Sequence, residues 1–459
     1  LWLTEVQVLR KEKGKMPVEV QLVTEAGDTV TQRWPGLANE GRLTFETRSK
    51  PRRVMLDPED KVLDVRRFNN GPPRVEVLFD YPNLSYSPRQ TYLVTWRPSG
   101  WFNDVDNVRL GGRVRSHYGR RRNAELGLWY GADSRQLDVR FRYANPITTL
   151  GPRTRGSFLV QKMEGRFEVD AHLTLVTGKH WLTPPHHRLW IGFNHSKLLS
   201  GTGERYVVRE FDQKNDIALS TWQKGDVNKL YFRYALDSRG VNWFSNLLLG
   251  VDTVQEDWGS DFTYNTLFSE LKFWVPQQEE GFFLRFYGKR IYHSQDAPIQ
   301  DQIFLDGANP RERFRRFYLR SDGGLPEELH YHLPGGGNLR GYFNQPITGS
   351  QIFALNLELR KDVRKFPFAR TVRRILGTTG VVAFVDLASL DRFDGGNDFF
   401  ADAGLGFRFR KWLPDEWYTI FTGGRNLTLR LDFPIWVNEP LPDERAVRFR
   451  WVFGFEQAI

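Results

Sequence analysis

The sequence predicts an all-β chain: a sixteen-stranded transmembrane antiparallel β-barrel with a long lumen-inserted loop, preceded by a small N-terminal β-sandwich. Three observations lead there. Mean hydropathy is −0.51 and 26% of the 459 residues are charged, yet 14% are aromatic, including 15 Trp. No run approaches the roughly 18–20 consecutive apolar residues that a spanning helix requires. From residue 107 onward, apolar and polar residues alternate in one segment after another. Alternation turns one face of a strand to lipid and the other to a polar lumen, so a barrel keeps a low mean hydropathy.

The alternation is explicit in five segments. Val108, Leu110, Gly112 and Val114 oppose Arg109, Arg113 and Arg115, and Leu137, Val139, Phe141 and Tyr143 oppose Asp138, Arg140 and Arg142. Phe353, Leu355, Leu357 and Leu359 oppose Asn356, Glu358 and Arg360, and Leu427, Leu429, Leu431 and Phe433 oppose Thr428, Arg430 and Asp432. In the last segment Val447, Phe449, Trp451, Phe453 and Phe455 oppose Arg448 and Arg450. Segments of this kind start near 107, 123, 136, 154, 165, 187, 214, 227, 243, 264, 281, 351, 379, 400, 427 and 447, which makes sixteen. Bacterial barrels of this type have an even strand number. Lipid leaves no partner for an open strand edge, so the last strand is expected to pair with the first. Phe449, Trp451, Phe453 and Phe455 then form an aromatic seam, with Glu456–Ile459 beyond it.

The formal charge is +10, with 49 Arg against 16 Lys. A nucleic-acid surface would gather these arginines into one patch. Here they fall at every second position of many strands, which points to an Arg-lined lumen and contacts with anionic lipid, and to no nucleic-acid partner. The chain has no cysteine, which excludes disulfides and thiolate metal sites. It starts at Leu1 with no visible secretory signal, so the expectation is a processed chain or part of a longer polypeptide.

Residues 1–75 read as short strands, Trp2–Leu9, Val18–Thr24, Thr29–Trp34, Arg42–Thr47 and Arg53–Leu56, with a hairpin turn at Gly27-Asp28. This pattern predicts an immunoglobulin-like sandwich. Proline-rich residues 76–106 read as a linker and 107–459 as the barrel. The runs Pro17–Val20, Glu25–Thr31, Leu56–Asp64 and Phe68–Asn70 resemble the sandwich that follows the catalytic domain in gluzincin zinc aminopeptidases. None of the nine histidines forms that family's His-Glu-x-x-His, so the chain itself is expected to be no enzyme and to hold no cofactor.

One connection is out of scale: about sixty residues separate Ile291 from Gln351. Loops this long in a compact fold are usually functional or disordered. This one carries Pro334-Gly335-Gly336-Gly337-Asn338-Leu339-Arg340-Gly341-Tyr342-Phe343. Leu339, Arg340, Gly341 and Tyr342, lying between the eleventh and twelfth expected strands, resemble the Val-Arg-Gly-Phe/Tyr motif of the BamA- and TamA-type superfamily of outer-membrane assembly and secretion barrels. The following strands, with Glu358 in one and Phe384 and Asp386 in the next, resemble that family's inner wall. The resemblance implies a loop folded into the lumen and locked there by Arg340. Alternation independently turns Glu358, Phe384 and Asp386 inward. The alternative is that Arg340 is one more solvated loop arginine.

The remaining candidates carry less. His180, His186 and His187 sit in a proline-containing hairpin, His330 and His332 have no evident third ligand, and Arg120–Arg122 reads as a solvated turn. No Gly-x-Ser-x-Gly elbow is present, and Gly335–Gly337 lacks the Lys of a phosphate loop. The family resemblance implies a bacterial outer-membrane location, protein translocation or membrane insertion as the function, outer-membrane lipid and lipopolysaccharide as surroundings, and accessory subunits or a client or passenger protein as partners. The sandwich is expected on the periplasmic side. The other function expected from the sandwich is a barrel that anchors, displays or secretes a metallopeptidase-like domain located before Leu1.

Overall fold

A computed structural model describes the chain except residues 12–13, 65–66, 73, 81–90, 104, 119–121, 152, 179–182, 200, 211–217, 221, 278–279, 316–329, 344, 346, 364–377, 394–395, 411–427, 441–443 and 456. The chain divides into two units. Leu1–Asp80, Ser85–Trp96 and Val114–Asn123 form the first, and Arg97–Arg113 with Ala124–Ile459 belong to the second.

In the first unit β1 (Trp2–Leu9) pairs antiparallel with β4 (Glu40–Thr47), while β2 (Val18–Thr24) lies between β3 (Thr29–Trp34) and β5 (Pro51–Leu56). Two-residue periodicity buries Val8, Val20, Leu22, Trp34 and Phe45 together as the core. The loop after β5 is organised by a buried carboxylate. Asp57 accepts the backbone N–H groups of Lys61 (2.8 Å) and Val62 (2.9 Å) and Nη1 of Arg67 (2.6 Å). The next strand, β6 (Arg74–Phe79), runs parallel to the start of β7 (Thr91–Asn103).

In the second unit the wall is one large sheet. Its strands are the end of β7, the first part of β8 (Asn107–Tyr118), β9 (Arg122–Gly131) from Ala124 on, β10 (Gln136–Pro146), β11 (Arg155–Met163), β12 (Arg166–Thr177) and β13 (His186–Leu198). A separate ribbon, β14 (Val208–Glu210) with β15 (Ala218–Ser220), follows. The sheet resumes with β16 (Asp226–Arg239), β17 (Phe244–Val254), β18 (Tyr264–Gln277), β19 (Glu280–Tyr292) and the two-residue β20 (Ile303–Phe304). It ends with β21 (Thr348–Asp362), β22 (Thr378–Arg392), β23 (Asn397–Arg410), β24 (Thr428–Val437) and β25 (Val452–Phe455). Apart from β20, sheet order follows chain order, and the pairings from β10 through β25 are antiparallel. The fold is all-β and of barrel type, as the alternation implies.

Three differences from the sequence reading have physical causes. Residues 91–103 are a wall strand, not linker: alternation continues through Pro98 and Gly100, and the breaker run Pro98-Ser99-Gly100 concealed it. The strand expected near 214 falls at residues outside the described set, and the flanking described residues form the separate ribbon. Among the described residues the wall holds fifteen strands of nine residues or more and the four-residue β25. Finally, the last strand does not run from 447. It makes one bridge at Val447 and regular pairing with β24 only from Val452.

The Asp57 loop supplies a test of the first unit. Burial alone would raise the Asp57 carboxyl, but the N–H groups of Val62 and Lys61 and the Arg67 guanidinium outweigh it and hold it below the usual carboxylate range. A depressed folded-state pKa contributes stability that is present above the unfolded value of about 3.9 and is lost as pH falls through the folded one. Asp57→Asn should therefore destabilise this unit by about 1–3 kcal/mol at pH 7. The gap to wild type should close as pH falls below about 4, read by melting curves at stepped pH. A pH-independent gap would assign the effect to loop packing.

Candidate functional site: the lumen loop and its two anchors

Register and alternation together set the inner wall. Asn356 stands opposite Asp386, Asp386 opposite Asp402, Gly406 opposite Asp432 and Arg408 opposite Arg430. Their neighbours Leu359, Val385 and Leu405 are exposed on the other face. Four carboxylates thus meet on the buried face of four adjacent strands, and directly opposed like charges destabilise a sheet unless something intervenes.

Arg340 intervenes. It opens a 3₁₀ turn, Arg340–Tyr342, and is fully buried. Its Nε and Nη2 donate to the two oxygens of Asp386 at 2.8 and 3.0 Å, and Nη1 donates to Glu358 at 2.6 Å and to Asp432 at 3.4 Å. The Phe384 ring lies beneath the guanidinium, 3.7 Å from its carbon. This is the two-point geometry that a planar guanidinium offers and an ammonium does not. The next residue completes the contact: the Gly341 N–H donates to Asp402 at 2.8 Å. A side chain at 341 would strike Val437 and Asp402 at 2.6 and 2.7 Å, so only glycine brings the backbone this close. Tyr342 donates its hydroxyl to Asn438 at 2.6 Å, and Leu339 is buried in the main apolar cluster.

Further arginines on the wall share the acids. Glu358 also accepts Arg360 at 2.6 Å and Arg408 at 3.0 Å, while Asp432 accepts Arg430 at 2.9 Å and Arg408. Four formal cations (Arg340, Arg360, Arg408, Arg430) face four formal anions (Glu358, Asp386, Asp402, Asp432).

A second anchor holds the earlier part of the loop. Asp301 is buried and accepts Nε and Nη2 of Arg311 at 2.7 and 2.8 Å. From the wall it also takes Lys229 Nζ at 3.1 Å and the Tyr264 hydroxyl at 2.6 Å. Burial alone would raise its pKa, but Arg311 and Lys229 hold it well below the usual range. Arg311 lies on a single-turn helix, α1 (Pro310–Arg315). Asn309 caps this helix by accepting the Glu312 N–H at 2.9 Å, and Glu312 returns the bond to the Asn309 N–H at 3.1 Å. This reciprocal cap, with Pro in the first helical position, fixes where the helix starts. From it Arg311 reaches Ser196 (2.6 Å) and Arg315 reaches Glu168 (2.8 Å). The sequence reading missed this anchor. Its signal was the run Asn309-Pro310-Arg311-Glu312, a helix start inside a supposed coil.

The loop also meets the chain's end. His332 N–H donates to Phe453 O at 2.8 Å and Phe453 N–H donates to His330 O at 2.9 Å. The β25 edge away from β24 is therefore taken at Phe453 by the loop. Tyr331 packs edge-on to Phe453, and His330 stacks on Trp451 at 4.3 Å. Of the expected aromatic seam, Phe453 and Phe455 pack on Tyr331, Trp451 stacks on His330 and on Phe453, and Phe449 is exposed. His332 is buried against Arg430, which together hold it neutral, well below its usual pKa. Beyond β25 the tail bonds to the same region: Asn338 donates to Ala458 O at 3.0 Å, Arg360 to Ile459 O at 3.1 Å and Arg408 to Gln457 at 3.2 Å.

Among the described residues no group of three His, Asp or Glu is placed to hold a metal. His187 lies on β13 bonded to the Tyr234 hydroxyl at 2.8 Å; His180 and Arg120–Arg121 lie outside the described residues.

No family model and no curated protein matches the chain. Among solved structures the chain is similar to BamA from Haemophilus ducreyi lacking POTRA domains 1–3, with a TM-score of 0.42 and 12% identity over 96% of this chain and 90% of that one. It is similar to CdiB from Escherichia coli, with a TM-score of 0.40 and 12% identity over 99% and 67% of the two chains. It is also similar to CdiB from Acinetobacter baumannii, with a TM-score of 0.39 and 10% identity over 79% and 65%.

The two anchors generate a quantitative expectation. Removing one partner of a buried, paired charge costs about 3–5 kcal/mol. Arg340→Ala and Asp301→Asn should each lower stability by that order, while Arg340→Lys keeps the charge, loses the two-point contact and costs less. The anchors share no described ion-pair partner, so the double variant should equal the sum within about 0.5 kcal/mol. Denaturant midpoints and heat-modifiable gel mobility read both. An unchanged Arg340→Ala barrel would remove the lock.

Proposed function

We propose that this chain is an outer-membrane β-barrel of the BamA-like type that acts in protein translocation or membrane insertion, with residues 293–315 and 330–342 held in its lumen as a plug. The observation that carries this reading is the Arg340 cluster: a loop arginine paired with carboxylates from three wall strands, and the adjoining Gly341 N–H bonded to a carboxylate of the strand between them, on the face opposite the exposed apolar one. Exposed Leu110, Phe141, Ile191, Phe232, Leu267 and Phe353 form the lipid-facing side, as a spanning strand requires. Location in the bacterial outer membrane, accessory subunits and a client protein belong to the same proposal.

A doubly anchored loop opposes use as a passive pore. Wild-type protein in a planar bilayer should conduct little, and Arg340→Ala combined with Asp301→Asn should conduct severalfold more. The transport reading is tested in cells that make the protein. Replacement by Arg340→Ala should lower the amount of at least one other envelope or secreted protein by quantitative proteomics. An unchanged envelope, with the variant present at wild-type level, would reject transport while leaving the barrel in place.

A further inference from the structure

The outer wall is not uniformly convex. Where β16 to β19 and β21 lie side by side, a groove of 630 Å³ runs along the face away from the lumen. Its sides are Phe232, Leu267 and Phe353, all about half exposed. The wall dips there because small residues stand between large ones. Ser269 and Gly288 are opposite each other in the register of β18 and β19, and a Cβ on Gly288 would lie 3.4 Å from Phe353 Cδ1. The volume falls within the range of small-ligand sites, and the lining is apolar.

One end of this groove carries a charge. Along the outer face of β19 the residues run Phe282, Leu284, Phe286, Gly288, Arg290, Tyr292. Arg290 is exposed, stands opposite Leu267 on one side and Gln351 on the other, and lies over the Tyr292 ring at 4.9 Å. The described residues provide no ion pair for it. An arginine on a lipid-facing surface is costly unless it reaches the interface or meets an anion. An aromatic platform beneath the guanidinium at a strand end is suited to the head-group level.

We propose that this groove binds one acyl chain of an anionic glycerophospholipid whose phosphate pairs with Arg290. The inference rests on the membrane-barrel reading. The shape takes the chain and Arg290 at the rim takes the head group, so head-group charge should matter at this place.

The test uses the full chain in phosphatidylcholine vesicles doped with diazirine-acyl phosphatidylglycerol or diazirine-acyl phosphatidylcholine, with crosslinks mapped by mass spectrometry. One surface arginine contributes about a fivefold preference for an anionic lipid. The anionic probe should therefore label β18 and β19 about fivefold over the neutral one. Arg290→Gln should abolish that preference, and Ser269→Leu, which fills the floor, should reduce labelling by both probes there and leave it intact on β10 to β12. Equal labelling by both probes around the whole wall would overturn the site and keep the membrane reading. Absence of labelling on any strand, with the folded gel band present, would overturn both.

Discussion

The structure depends on how buried charge is neutralised around Arg340. Asp386 and Asp402 face each other across neighbouring strands, with Glu358 and Asp432 on the strands either side. The wall's own arginines reach Glu358 and Asp432, but Asp386 and Asp402 are answered from the loop, by the Arg340 guanidinium and the Gly341 N–H. Without the loop in place this part of the wall would hold two directly opposed carboxylates that no described wall cation pairs. With it, four formal cations meet four formal anions, and both oxygens of Glu358, Asp386 and Asp432 gain directed donors while Asp402 gains one from the Gly341 N–H. The loop is thus a structural component of the wall it crosses, and the Arg-Gly pair is required as a pair. The arginine brings charge, and the missing side chain lets the backbone approach.

The same logic recurs at the other anchor with the signs exchanged. There the loop supplies the acid, Asp301, as well as its first partner, Arg311, and the wall adds Lys229 and Tyr264. Because Arg311 and Asp301 come from the loop itself, that segment meets the wall as a preassembled, nearly neutral pair. Burying such a pair is less costly than burying either ion alone. The reciprocally capped helix α1 gives the pair its geometry. Between the anchors, Arg285 from β19 holds the glycine run through the Gly336 carbonyl at 2.9 Å.

Much of this was legible in the residues. Two-residue periodicity located fourteen of the fifteen long wall strands and set Glu358, Phe384 and Asp386 on the inner face beside Arg340. What stayed hidden was anything that periodicity does not encode. The strand 91–103 was masked by Pro98-Ser99-Gly100, because breaker residues signal a turn whether or not the neighbouring strand continues the ladder. Asp402 and Asp432 were readable as inward-facing but not as partners, since alternation gives a face and not the level along the wall; that requires register, which bulges at Gly349 and at Ala403 shift. Asp301 has no pattern of its own. Only the Asn309–Glu312 cap next to it could have shown that the loop contains ordered structure.

The end of the chain extends the argument from loop to sheet. β25 pairs with β24 over four residues only, a short ladder for a strand that completes a wall. Its other edge at Phe453 is taken by His330 and His332, and the residues after it bond to Asn338, Arg360 and Arg408. Two of those three donors, Arg360 and Arg408, are also donors to Glu358 in the Arg340 cluster. A displacement of Arg340 therefore changes the groups that hold the tail, and a displacement of the tail changes the groups that neutralise Glu358. Because Phe453 bonds to the loop rather than along a long ladder, the last strand's position is set by side chains and loop backbone as much as by its neighbour. Loop, tail and last strand share one set of buried charges, so any movement that frees the last strand's edge must also rearrange the ion pairs that keep the loop inside.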